Sequence, residues 1–135
     1  MRRLAAAAAC VVAALPSSPA SAAPTVENPP YVVALNNVYY PGDIRLFQGG
    51  SLSFVNLDAT GHDIVAAERD DNGNLPFWSD IVYGPQPGSP QTAEPMTVVR
   101  GVSSLGLGIH MYTCSLHAEM RGTIEILAVP AGGLS

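Results

Sequence analysis

The sequence contains no lysine, and two of its six arginines, Arg2 and Arg3, stand at the very start. The remaining four arginines are scattered along the sequence, which contains eleven acidic residues. Proteins that bind nucleic acids or anionic membranes neutralise phosphates with a concentrated stripe of basic residues. The sequence therefore predicts an acidic protein and argues against both nucleic acid and an anionic membrane surface as partners.

Cysteine is almost as scarce, since the chain has only Cys10 and Cys114. Cys10 lies in an uncharged run from Leu4 to Leu15 that follows two arginines and precedes small residues, the order found in a secretory signal peptide. We expect removal of residues 1–22, which leaves Cys114 alone and excludes an intramolecular disulfide. A lipoprotein with Cys10 as acceptor is less favoured, because the apolar run continues beyond it.

Long hydrophobic runs are also missing. The run from Leu4 to Leu15 has about twelve residues, fewer than the ~20 that a transmembrane helix needs. We therefore predict an exported protein with no transmembrane segment. Its predicted location is the periplasm, or else the extracellular side or another part of the cell envelope. Residues 23–30 are predicted to form a flexible, proline-rich leader, and residues 31–135 a single domain large enough to fold without disulfides.

Sustained helical periodicity is absent, and short runs of β-branched and aromatic residues alternate with turn residues. The alternation of polar and apolar residues at 51–54 and 123–126 is typical of antiparallel strands with one face on the core. We predict an all-β, antiparallel sandwich of about eight strands, at Tyr31–Leu35, Asp43–Phe47, Ser51–Leu57, His62–Glu68, Phe77–Val82, Met96–Arg100, Gly108–Cys114 and Thr123–Val129.

Three side chains that bind soft metals recur at every third position near the end of the domain. Cys114, His117 and Met120 would lie on one tight loop between two strands and converge on one point. A thiolate with an imidazole favours copper or zinc, and a thioether favours copper. His62, at a predicted strand end, is the candidate for the second imidazole. Two imidazoles, a thiolate and a weak axial methionine form the donor set of blue-copper electron-transfer sites.

At these residues the sequence resembles the plastocyanin/azurin family of blue-copper proteins, the cupredoxins, with the short ligand loop of amicyanin-like members. The likeness extends to residues 54–58, 108–112 and 121–123, and it implies a Greek-key β-sandwich that holds one copper ion. It also implies that the Asp63 side chain meets Ser115, and that His117 reaches the surface within an apolar patch beside Leu116 and Ala118. Asp63 stands where family members commonly have asparagine, and we expect its charge to lower the reduction potential.

The predicted function is that of a small exported carrier of single electrons, a monomer that meets redox partner proteins and is not an enzyme. The alternative is an exported copper-binding module for copper storage, buffering or delivery. A Cys114–His117 nucleophile pair is disfavoured because no third group orients the histidine. The only other histidine, His110, is predicted to be a core or partly buried residue that does not bind metal. Met96 and Met111 are predicted to pack on their strands.

Overall fold

The computed structural model describes residues 30–88 and 95–132. The predicted signal peptide (1–22) and all of the predicted leader (23–30) except Pro30 lie outside these residues, so both stay predictions. Within the described ranges, no helix is long and apolar enough to cross a membrane. The only helix described there is a single 3₁₀ turn at Val102–Ser104.

The described chain folds into two four-stranded sheets and a small two-stranded sheet. The strands are β1 Tyr31–Leu35, β2 Val38–Tyr40, β3 Asp43–Phe47, β4 Ser53–Asn56, β5 Gly61–His62, β6 Val65–Ala66, β7 Val82–Tyr83, β8 Met96–Val98, β9 Gly108–Thr113 and β10 Arg121–Leu127. The first sheet has the strand order β2-β1-β4-β8, the second β3-β10-β9-β6, and the third pairs β5 with β7.

Alternating residues of both large sheets form one core, which confirms the predicted sandwich-type pattern. Strand β10 shows the pattern most clearly, since Ile124 and Ile126 are buried while their neighbours are partly exposed. Burial of apolar surface of this kind is the main stabilising contribution to a β-sandwich. The largest buried side chains of the core are Tyr112, Phe54, Phe77, Leu46, Leu52, Ile64, Met120 and Ile124.

Three details differ from the sequence prediction although the all-β fold class is confirmed. The sheets are mixed rather than antiparallel throughout, because β1 pairs parallel with β4 and β10 pairs parallel with β3. The strand count also rises from eight to ten, since β2 was not predicted and the predicted strand His62–Glu68 divides into β5 and β6 of different sheets. The predicted strand Phe77–Val82 is mostly irregular, with an isolated bridge at Trp78.

A tight turn at Asn36 and Asn37 connects β1 to β2. Both residues have positive φ, 55° and 58°, and Leu35 pairs with Val38 across the turn. Two consecutive residues with positive φ define the hairpin turn whose twist matches paired strands, and asparagine tolerates this conformation better than most residues. This turn points its backbone amides toward the loop that follows β4.

Candidate metal centre

The loop from Cys114 to Met120 joins β9 to β10 and is closed by its own backbone. The Cys114 N–H donates to the Met120 carbonyl at 3.2 Å, and the Met120 N–H donates to the His117 carbonyl at 3.0 Å. The Thr113 hydroxyl donates to the same Met120 carbonyl at 2.9 Å. Because β9 and β10 pair up to Thr113 and Arg121, the turn is compact and its side chains are fixed.

His62 reaches this loop from the opposite side, at the end of β5. Its Nδ1 lies 3.7 Å from the Cys114 sulfur, and the His117 Nδ1 lies 3.6 Å from the same sulfur. The two imidazole rings are 4.6 Å apart, and the donor atoms of all three residues lie within 4.8 Å of one another. The structure therefore brings together three of the four side chains that the sequence singled out, His62, Cys114 and His117.

These separations fit a small metal ion. Bonds of 2.0–2.3 Å from nitrogen and sulfur ligands, arranged at 110–120° about one ion, place a nitrogen and a sulfur donor about 3.6–3.8 Å apart. The observed nitrogen–sulfur distances are 3.6 and 3.7 Å. Cys114 and His62 are 2% and 0% exposed, so water competes poorly for their donor atoms. The mixed nitrogen and sulfur donor set favours copper or zinc over hard cations.

Asp58 sets the orientation of the His62 ring. The Asp58 Oδ2 lies 3.0 Å from His62 Nε2, and the Thr60 hydroxyl oxygen lies 3.2 Å from the same nitrogen. A carboxylate acceptor assigns the ring proton to Nε2, which leaves the lone pair of Nδ1 facing Cys114. Histidines that bind metals commonly have such a partner on their second nitrogen.

The Asp58 carboxylate is itself held by the hairpin turn. The Asn36 N–H donates to Oδ1 at 2.7 Å, and the Asn37 N–H donates to Oδ2 at 2.9 Å. Partial burial alone would raise the pKa of Asp58, but the amides of Asn37 and Asn36 and the contact with His62 outweigh it and lower this pKa. A turn of the first sheet thus supports a charged partner for the first histidine.

Asp63 connects the two loops that carry the donors. Its Oδ1 accepts the Ser115 N–H at 2.7 Å, and its Oδ2 accepts the Ser115 hydroxyl at 2.5 Å. The Asp63 backbone carbonyl accepts the buried Tyr39 hydroxyl at 2.5 Å. Desolvation by burial, with the neighbouring Cys114 and Asp63, raises the pKa of Tyr39. The expected meeting of Asp63 and Ser115 is present.

The remaining residues of the loop divide between core and surface. Met120 is 2% exposed and lies in the core cluster beside Cys114. His117 is half-buried, Leu116 is 51% exposed and Ala118 is exposed. The edge of the cluster nearest His117 is thus the one closest to solvent.

His110 does not join the donor cluster. It is half-buried, and its Nε2 lies 2.8 Å from the carbonyl oxygen of Gly106, two residues before β9 begins. Its strand position matches the expectation of a partly buried histidine. Met96 and Met111, expected to pack on their strands, are instead 51% and 48% exposed, because both side chains point away from the core.

Sequence reasoning gave no role to Asp58, Asn56 or the Asn36–Asn37 turn. The Asn56 side-chain amide donates to the carbonyls of Thr60 and Val82, both at 2.7 Å, and so shapes the loop that leads to the first histidine. Asp58 lies four residues before His62 in the sequence, and this spacing is a local signal that could have identified it as the hydrogen-bond partner of that histidine. The hairpin contact joins residues more than twenty positions apart, and no local pattern reveals it.

Comparison with known proteins gives the fold a precedent. No protein-family model matches the chain, and a search among curated proteins found no match. Among solved structures, amicyanin from Paracoccus versutus (Thiobacillus versutus) is 13% identical, with a TM-score of 0.57 over 74% of this chain and 82% of that one. A reduced Cu(I) form of an amicyanin mutant at pH 4 is 14% identical, with a TM-score of 0.57 over 76% and 86% of the two chains. The chain therefore has the cupredoxin fold that amicyanin represents, and it presents a histidine, cysteine, histidine and methionine set on that fold.

Proposed function

We propose that the protein binds one copper ion as a type 1 centre and carries single electrons between redox partner proteins. His62, Cys114 and His117 would hold the ion, and the thioether of Met120 would supply a weaker fourth ligand. The observation that supports this most directly is the convergence of two imidazole nitrogens and a buried thiol within 4.8 Å. When bound, copper supplies one-electron chemistry between Cu(I) and Cu(II).

The surroundings of the donors favour an electron carrier over a catalyst. Hydrogen bonds fix the loop of Cys114, and Asp58 fixes the ring of His62. A preorganised donor set that moves little between oxidation states suits electron transfer, because reorganisation then adds little to the barrier. Cys114 and His62 are almost inaccessible to solvent, which suits electron transfer through the protein better than direct contact with a substrate.

Electrons would enter and leave near His117. This residue is half-buried, and the exposed Leu116 and Ala118 lie beside it in the loop. An apolar rim lets a partner approach the imidazole edge without desolvating charged groups. The chain carries a formal charge of −5, so partners with positive patches would be steered toward it and electron-transfer rates would fall as salt is added.

We place this activity outside the cytoplasm, in the periplasm or another part of the cell envelope. The support is the N-terminal sequence, in which Arg2 and Arg3 precede an apolar run and small residues. Mass determination of the protein isolated from its cells tests this. A mature chain that starts at Ala23 is expected, and an intact Met1 on the functional protein would contradict export by this route.

The deciding experiment is visible absorption and EPR spectroscopy after addition of Cu(II). An intense blue or green colour with narrow copper hyperfine splitting is expected, and Cys114→Ser and His62→Ala should abolish it. His110→Ala is the matched histidine control and should keep both signals, because His110 lies outside the donor cluster. A colourless protein that binds Cu(I) would indicate copper storage or delivery. A protein that binds neither Cu(I) nor Cu(II) would refute copper binding.

A second measurement separates an electron carrier from a copper carrier. The copper-loaded protein is oxidised and reduced repeatedly in the presence of an excess of a Cu(I) chelator. We expect the copper content to stay constant, because the donors lie in a buried and hydrogen-bonded site. Steady loss of copper to the chelator during the cycles would favour copper delivery.

A further inference from the structure

The outer surface of the first sheet is apolar across all four of its strands. Side chains alternate along each strand, so that one set enters the core and the other points outward. The outward set, called the apolar face here, contains a single polar residue, Ser53. Its apolar members are Tyr31, Val33, Leu35, Val38, Tyr40, Val55, Met96 and Val98, with Leu57 directly after β4.

The strand register makes this face continuous. Val33 lies opposite Tyr40 on one side and Val55 on the other, and Val55 lies opposite Met96. One apolar row therefore crosses the whole sheet without interruption. Within the described strands of this sheet, no charged side chain occupies an outward position. A half-exposed antiparallel or mixed sheet ordinarily shows polar side chains on its outer face.

The second sheet shows the ordinary pattern. Its outer face mixes polar and apolar side chains. The exposed Ile109 and Met111 of β9 lie opposite Glu125 and Thr123, and an ion pair of 2.7 Å joins Arg45 to Glu125. The two sheets belong to one chain, so low overall charge does not explain the difference between their outer faces. The apolar face is a local property of the first sheet.

The size of the face matches that of a protein interface. Seven of its side chains are between 38% and 59% exposed. Half of an aromatic side chain exposes about 100 Å² and an aliphatic one somewhat less, so the face exposes roughly 600 Å². Burial of this surface on two copies would remove roughly 1,200 Å² from water, which reaches the range of specific interfaces. A patch of this size also lies at the upper end of those left uncovered on monomers.

We propose that two copies of this chain pair through the apolar face, sheet against sheet. The formal charge of −5 makes two copies repel each other over most of their surface. The apolar face is where they can meet without placing like charges in contact. The chain has no lysine, and Arg100, which follows β8 by two residues, is paired with Asp80 at 2.8 Å. The face therefore has no cluster of basic residues at its edge to favour anionic lipids. A twofold axis brings the same patch of both copies together.

This pairing is independent of the copper proposal. The donor loop from Cys114 to Met120 joins two strands of the second sheet, whereas the apolar face belongs to the first. His117 therefore stays open to redox partners in the pair, and the pairing would form with or without metal. A dimer differs from the monomer expected from sequence. The sequence does not reveal the strand register, and only that register shows that the outward side chains of β2 and β8 belong to one apolar face.

Sedimentation equilibrium of the protein as purified from its cells tests the pairing. A monomer–dimer equilibrium is expected, and Met96→Glu should raise the dimer dissociation constant at least tenfold. Tyr31→Glu, on another strand of the same face, should act in the same direction. Ile109→Glu is the matched control, because Ile109 is 68% exposed on the outer face of the second sheet. It should leave the dissociation constant unchanged.

Circular dichroism confirms that each variant is folded before its association is compared. A wild-type protein that stays monomeric up to millimolar concentration would overturn the proposal. So would a dimer that Ile109→Glu weakens as much as Met96→Glu does. Flotation with phosphatidylcholine vesicles tests whether the apolar face binds a lipid surface instead of a second copy. A monomer that binds these vesicles, and that loses this binding in Met96→Glu, would assign the face to lipid and contradict pairing.

Discussion

Asp63→Asn isolates the effect of one buried charge on the metal centre. The substitution keeps the shape of the side chain. An asparagine oxygen still accepts the Ser115 N–H, and its amide can donate to the Ser115 hydroxyl oxygen, so both contacts of the carboxylate persist in number. The change removes a negative charge with little change of geometry. Negative charge stabilises Cu(II) over Cu(I), so its removal should raise the reduction potential.

The size of this shift follows from the distance. Asp63 Oδ1 lies 2.7 Å from the Ser115 nitrogen, which is bonded to the Cys114 carbonyl carbon. Covalent geometry then places the carboxylate about 6 Å from the Cys114 sulfur. With an effective dielectric constant of about 20, one charge at this distance contributes about 2.8 kcal/mol. For one electron this corresponds to roughly 120 mV.

Protein-film voltammetry of the copper-loaded variant gives the potential directly. Glu125→Gln is the matched control, because Glu125 also accepts a hydrogen bond but lies on the outer face of β10 in an ion pair with Arg45. We expect a rise on the order of 100 mV for Asp63→Asn and a much smaller change for the control. An unchanged or lower potential, with the absorption spectrum intact, would refute the electrostatic reasoning.

Three further substitutions, with one matched control, test the frame around the site. Asp58→Ala removes the acceptor of the His62 ring proton and should weaken copper binding about 10- to 100-fold in a chelator competition. Gly122→Ala should cost about 3 kcal/mol in urea unfolding, because its added Cβ would overlap the Gly42 carbonyl oxygen and the Tyr112 ring. Gly106→Ala, whose added Cβ meets nothing within 4 Å, should change stability by under about 0.5 kcal/mol. Tyr39→Phe should cost about 2 kcal/mol in the same assay, since a buried carbonyl loses its donor.

The parts of the molecule that sequence predicted are those with local causes. The strand Asp43–Phe47 was predicted with its observed bounds because a turn precedes it and a glycine pair follows. The spacing of Cys114, His117 and Met120 predicted a shared loop, since any short connection between two strands keeps such residues together. Their meeting with His62 was predicted from donor chemistry and from family resemblance.

The parts that sequence did not predict depend on contacts between distant segments. The apolar run after His62 suggested one strand, but the chain changes sheets between β5 and β6. Strand β2 escaped prediction because it has three residues, although Asn36–Asn37 between apolar runs is a recognisable hairpin signal. The support that this hairpin gives to Asp58 could be found only in three dimensions.

The position of β10 in the second sheet bears on when the metal centre can exist. This strand is the last in the described chain, yet it lies between β3 and β9 in the middle of its sheet. Met120 directly precedes it, so the final donor is placed by the same step that inserts the final strand. A chain synthesised from its N-terminus would contain His62 long before it contained Cys114, His117 and Met120, which lie together directly ahead of β10. Copper capture by all four residues would therefore mark completion of the fold, and a truncated or half-folded chain would lack the finished site.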